Sequence, residues 1–334
     1  MELILKKDSA KALKTIYIGG GTPSVLPEEN LIQLFRCLRD NFKFFPIEIT
    51  VEANPGTISE SNIITLLYLG VNRISIGVQS FNDDELKTLG RIHTSEEAAK
   101  SISIIKEAGI RNFSIDLIYG IPGQTLETWE ETLSKAISLS PTHISSYELT
   151  PEKGTPLYGM IKSKNIQMPD EGLVIDMYNY AIDYLVSNGY EHYEISNFAL
   201  PGFRCIHNLN YWDWGEYIGA GAGAHSFIRG YRSRNTDDIS RYIEDLNKNI
   251  IPEIESVEIK CEDAIKEFIF LGLRKTEGIS IMKTEELGLN IPDACKELID
   301  EGYVKVSDNY LSLTRKGLVI SNTIIVRLFE KLRL

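Results

Sequence analysis

The chain is predicted to be an α/β protein built on a partial (β/α) barrel, with a small winged-helix-like domain at its C-terminal end. Three observations predict this. Short apolar runs alternate with amphipathic stretches from Thr15 to Leu149. Polar residues fall at or near the carboxyl ends of successive apolar runs, where barrels gather their chemistry. After about Pro252 the pattern changes to helical stretches followed by a tight pair of strands.

The elements follow in order. "TIYIG" at 15–19 reads as a strand, and "GGGTPS" follows it. Glycines there let backbone N–H groups approach a polar ligand, although a tight turn is the plain alternative. The spacing matches neither the P-loop nor the dinucleotide fingerprint. Pro27 with Glu28 and Glu29 opens a helix. "IEITVEA" at 47–53 is the next strand, and Ser59 opens a helix that Gly70 stops. "RISIGVQS" at 73–80 leads to the helix start Thr94-Ser95-Glu96-Glu97, which ends at Gly109. "NFSIDLIYG" at 112–120 is turned by "GIPGQT" at 120–125 into a helix opened by Thr125 and Glu127, and "HISSYELT" at 143–150 closes the series. Such alternation favours a parallel sheet with right-handed crossovers. Gly19, Gly20, Gly21, Glu52, Gln79, Asp116 and Glu148 recur at strand ends, which favours a barrel over a doubly wound sheet with a single switch point. Glu52 and Asp116 lie within apolar strands, so each must be paired or face the open mouth.

With 334 residues the chain can bury a large core, and 35 Lys and Arg against 47 Asp and Glu give a net charge of −12. That balance argues against general binding of nucleic acid or an anionic membrane. No apolar run approaches a spanning helix, and the start has too short an apolar segment for a signal peptide, so a cytoplasmic location is expected. Cys37, Cys205, Cys261 and Cys295 show no paired spacing, so disulfides and a metal site are not expected. Cys37 reads as a buried helix residue.

"GAGAGA" at 219–224 imitates G-x-G-x-x-A, but "HSFIRGYRSRN" has no sustained helical period to follow it. Close backbone approach to a ligand or strand explains these glycines better. Helical stretches at 261–275 and 292–301, two strands around Asp308-Asn309 and a final helix through Arg333 form the C-terminal module. The expected division is 1–252 and 253–334.

Taken together, "GGGTPS", "VEANPG", "NRISIGVQSF", "LGRIHT", "DLIYGIPGQT", "YEISNFALPGFRCIHNLNYW" and "GAGAGAHS" closely resemble the radical S-adenosylmethionine (SAM) family of oxygen-independent coproporphyrinogen III oxidases, and within it most nearly the HemW-type haem chaperones. The resemblance implies a radical SAM barrel holding SAM beside an iron–sulfur cluster, followed by a HemN C-terminal-like domain. It implies that Gly20, Gly21 and Thr22 meet the methionine end of SAM. It also implies that Glu52, Gln79, Arg91 and Asp116 bind SAM, with Asp116 on the ribose, and that His225 neighbours it. His207, Asn208 and Tyr211 fit the H-N-x-x-Y haem motif, with Trp212 and Trp214 as flat apolar surface and Cys205 as a second soft ligand. The family's C-x₃-C-x₂-C cluster motif is absent from the sequence, whose ladder starts at what should be the second barrel strand. Reductive SAM chemistry is therefore not expected of the chain as given, and residual SAM binding is expected to be weak. The implied function is a haem chaperone that delivers haem to a respiratory protein. Coproporphyrinogen III oxidase chemistry in porphyrin biosynthesis, or an inactive fragment, are the alternatives. The edge left by a lost strand invites association, a homodimer being its simplest form.

Overall fold

A computed structural model describes residues 12–289 and 291–334. By the family resemblance "MELILKKDSAKALK" at 1–14 should be the end of the helix before the first visible strand; residues 1–11 lie outside the described residues, and Ala12–Lys14 instead already belong to a strand. Seven strands, β1 (Ala12–Ile18), β2 (Lys43–Ala53), β3 (Arg73–Gln79), β4 (Phe113–Tyr119), β5 (His143–Glu148), β6 (Glu191–Glu194) and β7 (Asn197–Ala199), share one sheet in the order β1-β2-β3-β4-β5-β7-β6. Strands β2 to β5 pair in parallel, as the alternation predicts. The far edge departs from that pattern: β7 runs antiparallel to β5, and β6 antiparallel to β7. These two strands, of 4 and 3 residues, are too short to show an alternation in sequence.

Helices fill the connections: α1 (Glu28–Asn41), α2 (Glu60–Leu69), α3 (Asp83–Thr88), α4 (Ser95–Glu107), α5 (Leu126–Ser138), α6 (Pro156–Lys162) and α7 (Glu171–Ser187). Ser59, Thr94 and Thr125 each close a capping box, satisfying orphan N–H groups at the starts of α2, α4 and α5. Gly70 ends α2 at φ 97°, a conformation in which a Cβ is costly. Cys37 lies on α1 as expected but is half-buried rather than buried, with Asn41 donating to its carbonyl at 2.8 Å.

The pleat sorts the central strands into two unlike faces. Ile49, Val51, Ile74, Ile76, Val78, Phe113, Ile115, Leu117 and Ile144 form an apolar, fully buried face, the one that crossover helices cover in a parallel sheet. The opposite face carries Glu48, Thr50 and Glu52, then Arg73, Ser75 and Gln79, then Ser114, Asp116, His143 and Ser145. A barrel lined with charge in this way is built to hold a polar ligand rather than to pack a core.

Two compact units emerge. One comprises Thr15–Ile32 and Ile47–Arg204; the other gathers Gln33–Pro46 and Cys205–Leu334. In the second unit, α8 (Ile206–Trp212) precedes the antiparallel strands β8 (His225–Ile228), β9 (Tyr231–Asn235) and β10 (Glu253–Glu258), with α9 (Ile239–Asn247) between the last two. No helix follows the "GAGAGA" run. A Cβ on Gly219 would lie 2.0 Å from the His225 carbonyl oxygen, so close approach of the strand accounts for that glycine. Asp238 caps α9 by accepting from Arg241 N–H.

The C-terminal module contains α10 (Cys261–Gly272), β11 (Ile279–Ser280), α11 (Ile281–Glu286), α12 (Ile291–Asp300), β12 (Val304–Ser307), β13 (Tyr310–Leu313), α13 (Arg315–Val319) and α14 (Ser321–Leu332). Asp308 and Asn309 turn β12 into β13 with φ of 51° and 65°, the paired positive values of a type I′ hairpin. Among the described residues no helix is long and apolar enough to cross a membrane.

Candidate cofactor pocket and aromatic helix

At the carboxyl end of the parallel strands lies a cleft of about 250 Å³, bounded by Gly21, Glu52, Ala53, Asn54, Ser75, Gly77, Gln79, Arg91 and Asp116. Five residues expected at a site from sequence, Gly21, Glu52, Gln79, Arg91 and Asp116, thus meet in one place. Glu148 ends β5 but does not line this cleft.

Glu52 is held by two donors. Tyr17 O–H reaches Oε1 at 2.9 Å and Gly20 N–H reaches Oε2 at 3.2 Å. Burial first, and then the Glu52 and Asp116 charges, push the Tyr17 phenol far above its ordinary range, so it remains a donor. A Cβ on Gly19 would stand 2.6 Å from Glu52 Cδ, while Gly20 takes φ 82° and Gly21 faces open space. The glycine run therefore serves two purposes: Gly19 makes room for the carboxylate that Gly20 N–H grips, and Gly21 leaves bare backbone at the cleft. Thr22 is drawn to the same corner, its hydroxyl accepting from Asn54 Nδ2 at 2.8 Å.

Gln79 is buried with φ 71°, a strained value for a residue with a Cβ. It sits where the β3–β4 register shifts between Ile76 and Gln79, an irregularity that re-aims a side chain beside a site. Gly77 leaves it room, since a Cβ there would lie 2.9 Å from Gln79 Nε2. Arg91 approaches Asn54 Oδ1 at 3.5 Å. Its loop is fixed by His93, whose Nε2 lies 3.1 Å from the Val78 carbonyl oxygen. Asp116 sits at mid-strand rather than at the strand end. It accepts from Ser75 Oγ at 3.1 and 2.9 Å and from Ser114 Oγ at 3.0 Å. Tyr17, Asn54, Ser75, Gly77 and Ser114 were not singled out in sequence, although the period-2 alternation places all but Asn54 on the inward face of a strand.

The H-N-x-x-Y residues lie on α8, in the other unit. His207 Nε2 and the Tyr211 hydroxyl are 2.9 Å apart with their rings edge to face, and the ring of Tyr217 meets Tyr211 at a centroid distance of 4.7 Å. Asn208 is half-buried, and no residue of α8 is buried, unusual for the sequence "IHNLNYW". Burial pushes the Tyr211 phenol up to about 12. Trp212 lies under Arg274, whose guanidinium carbon is 4.6 Å from the ring centroid. Trp214 Nε1 donates to Glu267 at 2.9 Å, and Arg232 grips the same carboxylate through two nitrogens at 2.8 and 3.0 Å. His225 is exposed at the start of β8, and Cys205 is buried just before α8.

The buried histidines make a pH prediction. Burial lowers the pKa of both His93 and His143, and Arg73 adds to the effect on His143. The unfolded chain therefore binds more protons, and stability present above about pH 6.5 is lost as pH falls through that value. Urea midpoints at about pH 7.5 and 5.5 should show the lower value at the acid end, and His143→Asn should flatten the difference.

The Radical SAM superfamily profile matches residues 1–136, and the HemN C-terminal domain profile matches residues 260–320. The chain is 36% identical over 329 residues to "Heme chaperone HemW" of Bacillus subtilis (strain 168), covering 96% of this chain and 86% of the relative. It is 38% identical over 327 residues to the protein of that name from Lactococcus lactis subsp. lactis (strain IL1403), covering 96% and 84%. The solved structure of coproporphyrinogen III oxidase (HemN) from Escherichia coli, a radical SAM enzyme, superposes with a TM-score of 0.83 at 22% identity, covering 98% of this chain and 81% of that one, a likeness of fold.

Proposed function

From its membership of the radical SAM haem chaperone family HemW, we propose that this chain binds haem and delivers it to a respiratory protein in the cytoplasm, and that its barrel cleft takes SAM. The observation that carries the haem reading is the pairing of His207 with Tyr211 on a helix that buries none of its residues. A neutral imidazole ligates iron. Tyr211, whose phenol burial pushes up to about 12, is the hydrogen-bond partner of His207 in the haem-free protein and offers an oxygen to the same pocket. Asn208 adds a neutral amide beside them. Arg274, stacked on Trp212 with its Nε buried and without a hydrogen-bond partner, supplies positive charge for haem propionates over a flat ring.

The cleft suits SAM chemically. Gly20, Gly21 and Thr22 offer backbone and hydroxyl groups to its methionine end, and Glu52 accepts from its ammonium. Arg91 pairs with its carboxylate, Gln79 provides a donor and an acceptor, and Asp116 accepts from the ribose. By the family resemblance His225 neighbours the bound cofactor. When bound, SAM supplies an adenosyl group on an electrophilic sulfonium. The four cysteines of this sequence do not fit a four-iron cluster: Cys205 and Cys295 are buried, Cys37 is half-buried, Cys261 is exposed, and among the described residues no three metal-ligating side chains converge. No reductive step is assigned to them. The acidic chain, a boundary near residue 252 between barrel and C-terminal module, and a homodimer complete the reading.

Two measurements test it. Haem titrated into the protein should give a saturable Soret change. The loaded protein should then transfer haem to a haem-free respiratory subunit faster than haem-loaded serum albumin does. Equal rates would remove the delivery reading, and conversion of coproporphyrinogen III would favour the oxidase alternative. For the cleft, Gly19→Ala should displace Glu52 while leaving the fold intact, since Gly19 is exposed and outside the left-handed region. Losing one hydrogen bond to a charged group costs about 1.5–3 kcal/mol, so calorimetry should find SAM affinity about ten- to a hundredfold weaker. Unchanged affinity would exclude Glu52 from the SAM site.

A further inference from the structure

Below the cleft, on the same inward sheet face, lies a chain of buried polar groups that the pocket does not use directly. Ser114 Oγ is 2.8 Å from His143 Nδ1, and His143 Nε2 is 2.7 Å from the Tyr193 hydroxyl. Ser114 is at the same time 3.0 Å from Asp116 Oδ1. His143 and Ser114 are 0% exposed and Tyr193 is 2% exposed.

The direction of every bond in this chain follows from proton counting. Asp116 as a carboxylate can only accept, so the single Ser114 proton goes to Asp116. Ser114 then has only lone pairs to offer His143, so Nδ1 must carry the imidazole proton. A neutral ring protonated at Nδ1 leaves Nε2 as an acceptor, and the Tyr193 O–H fills it. The alternative, an imidazolium donating from both nitrogens, would place a charge in a fully buried site near Arg73, and burial and Arg73 both push the His143 pKa well below its ordinary value. Ser75 supplies a second proton, shared between both Asp116 oxygens. Two serine protons thus use part of the carboxylate's accepting capacity, and the rest, on a residue lining the cleft, stays available to further donors.

We propose that Tyr193, His143 and Ser114 form a one-way hydrogen-bond relay, with Ser75 beside it, that positions Asp116 to accept both hydroxyls of a ribose. Tyr193, His143 and Ser114 are positioning residues, as is Ser75 at the cleft wall, and within this group Asp116 is the one that accepts from the ribose. The inference rests on the reading of the cleft as a nucleoside-binding pocket and adds what makes it discriminate a ribose from a deoxygenated sugar. A fixed acceptor pair rewards a vicinal diol and is left unsatisfied by an analogue lacking it, an asymmetry that a freely rotating carboxylate would weaken.

The test measures two ligands and one spectrum. SAM and its 2′,3′-dideoxy analogue are titrated by NMR into the parent chain, Asp116→Ala, Ser114→Ala, His143→Leu and His143→Asn. The parent should prefer SAM by about tenfold or more, and Asp116→Ala should abolish that preference. Ser114→Ala and His143→Leu should lose most of the preference by weakening SAM while leaving the dideoxy analogue unchanged. His143→Asn, which keeps an N–H near the Nδ1 position, should retain it. A merely structural role would weaken both ligands equally. Independently, ¹⁵N spectra of the parent near pH 7 should show His143 neutral and protonated at Nδ1. Ser114→Ala, a small change, and this spectrum decide the matter even where His143→Leu fails to fold. A ring protonated at Nε2, or full preference in folded Ser114→Ala, would overturn the relay while sparing the pocket. Absence of any preference in the parent, or its survival in Asp116→Ala, would overturn the pocket reading and the relay together.

Discussion

Haem added to a His207→Ala variant should bind at least about tenfold more weakly than to the parent, a loss of 1.4 kcal/mol or more, and its Soret band should resemble that of haem without a protein nitrogen ligand. The loss is one of coordination. An axial imidazole bond is replaced by nothing, and alanine is the best helix former, so α8 itself should persist. Tyr211→Phe separates the pair. In the protein as it stands the Tyr211 hydroxyl occupies His207 Nε2 at 2.9 Å, so ligation through that nitrogen requires the contact to open. Removing the hydroxyl should leave the absorption bands nearly unchanged and should not weaken affinity; faster binding is expected. Circular dichroism checks folding. A folded His207→Ala protein with parental bands and affinity would eliminate His207 as the ligand and turn attention to buried Cys205 or to Tyr211.

Much of this site could be read from sequence because its residues stand at positions that strand periodicity marks. Glu52 and Asp116 interrupt apolar runs, and a charge in such a run must be paired or functional. Helix starts were equally plain: Ser59, Thr94 and Thr125 carry the hydroxyls that accept from the N3 amides. Other features left no such mark. The relay joins Ser114, His143 and Tyr193, two of them 50 residues apart, and serine in a strand has no signature of its own. The strained φ of Gln79 depends on a register shift between β3 and β4, a property of pairing rather than of either strand. Strands β6 and β7 escaped because so few residues cannot display a period. The glycines at 19–21 illustrate the boundary well: their presence suggested a ligand loop, but only the fold shows that Gly19 yields its space to Glu52.

Trp129→Ala should destabilise the barrel unit by about 3–5 kcal/mol, the largest stability effect expected of a single substitution in this chain. Trp129 is 0% exposed and shares the buried face of α5 with Leu133 and Ala136 at helical spacing. Its ring lies against Tyr119 at a centroid distance of 5.7 Å, and its Nε1–H donates to the Met177 carbonyl at 3.0 Å, tying α5 to α7. Alanine would leave a cavity between the two helices and a carbonyl without this donor, and the surrounding strands can relax only partly into the space. Trp129→Phe keeps most of the ring and loses the N–H, so its cost should be nearer about 1 kcal/mol plus a smaller packing term. Domains of this kind are stable by only about 5–15 kcal/mol, so the alanine variant should forfeit a large share and shift the urea midpoint strongly downward. Trp212 and Trp214 belong to the other unit, so residual tryptophan fluorescence reports on that unit, while circular dichroism reports on the whole chain. An unfolding free energy within about 1 kcal/mol of the parent's would show that the α5–α7 contact is not the anchor its burial indicates.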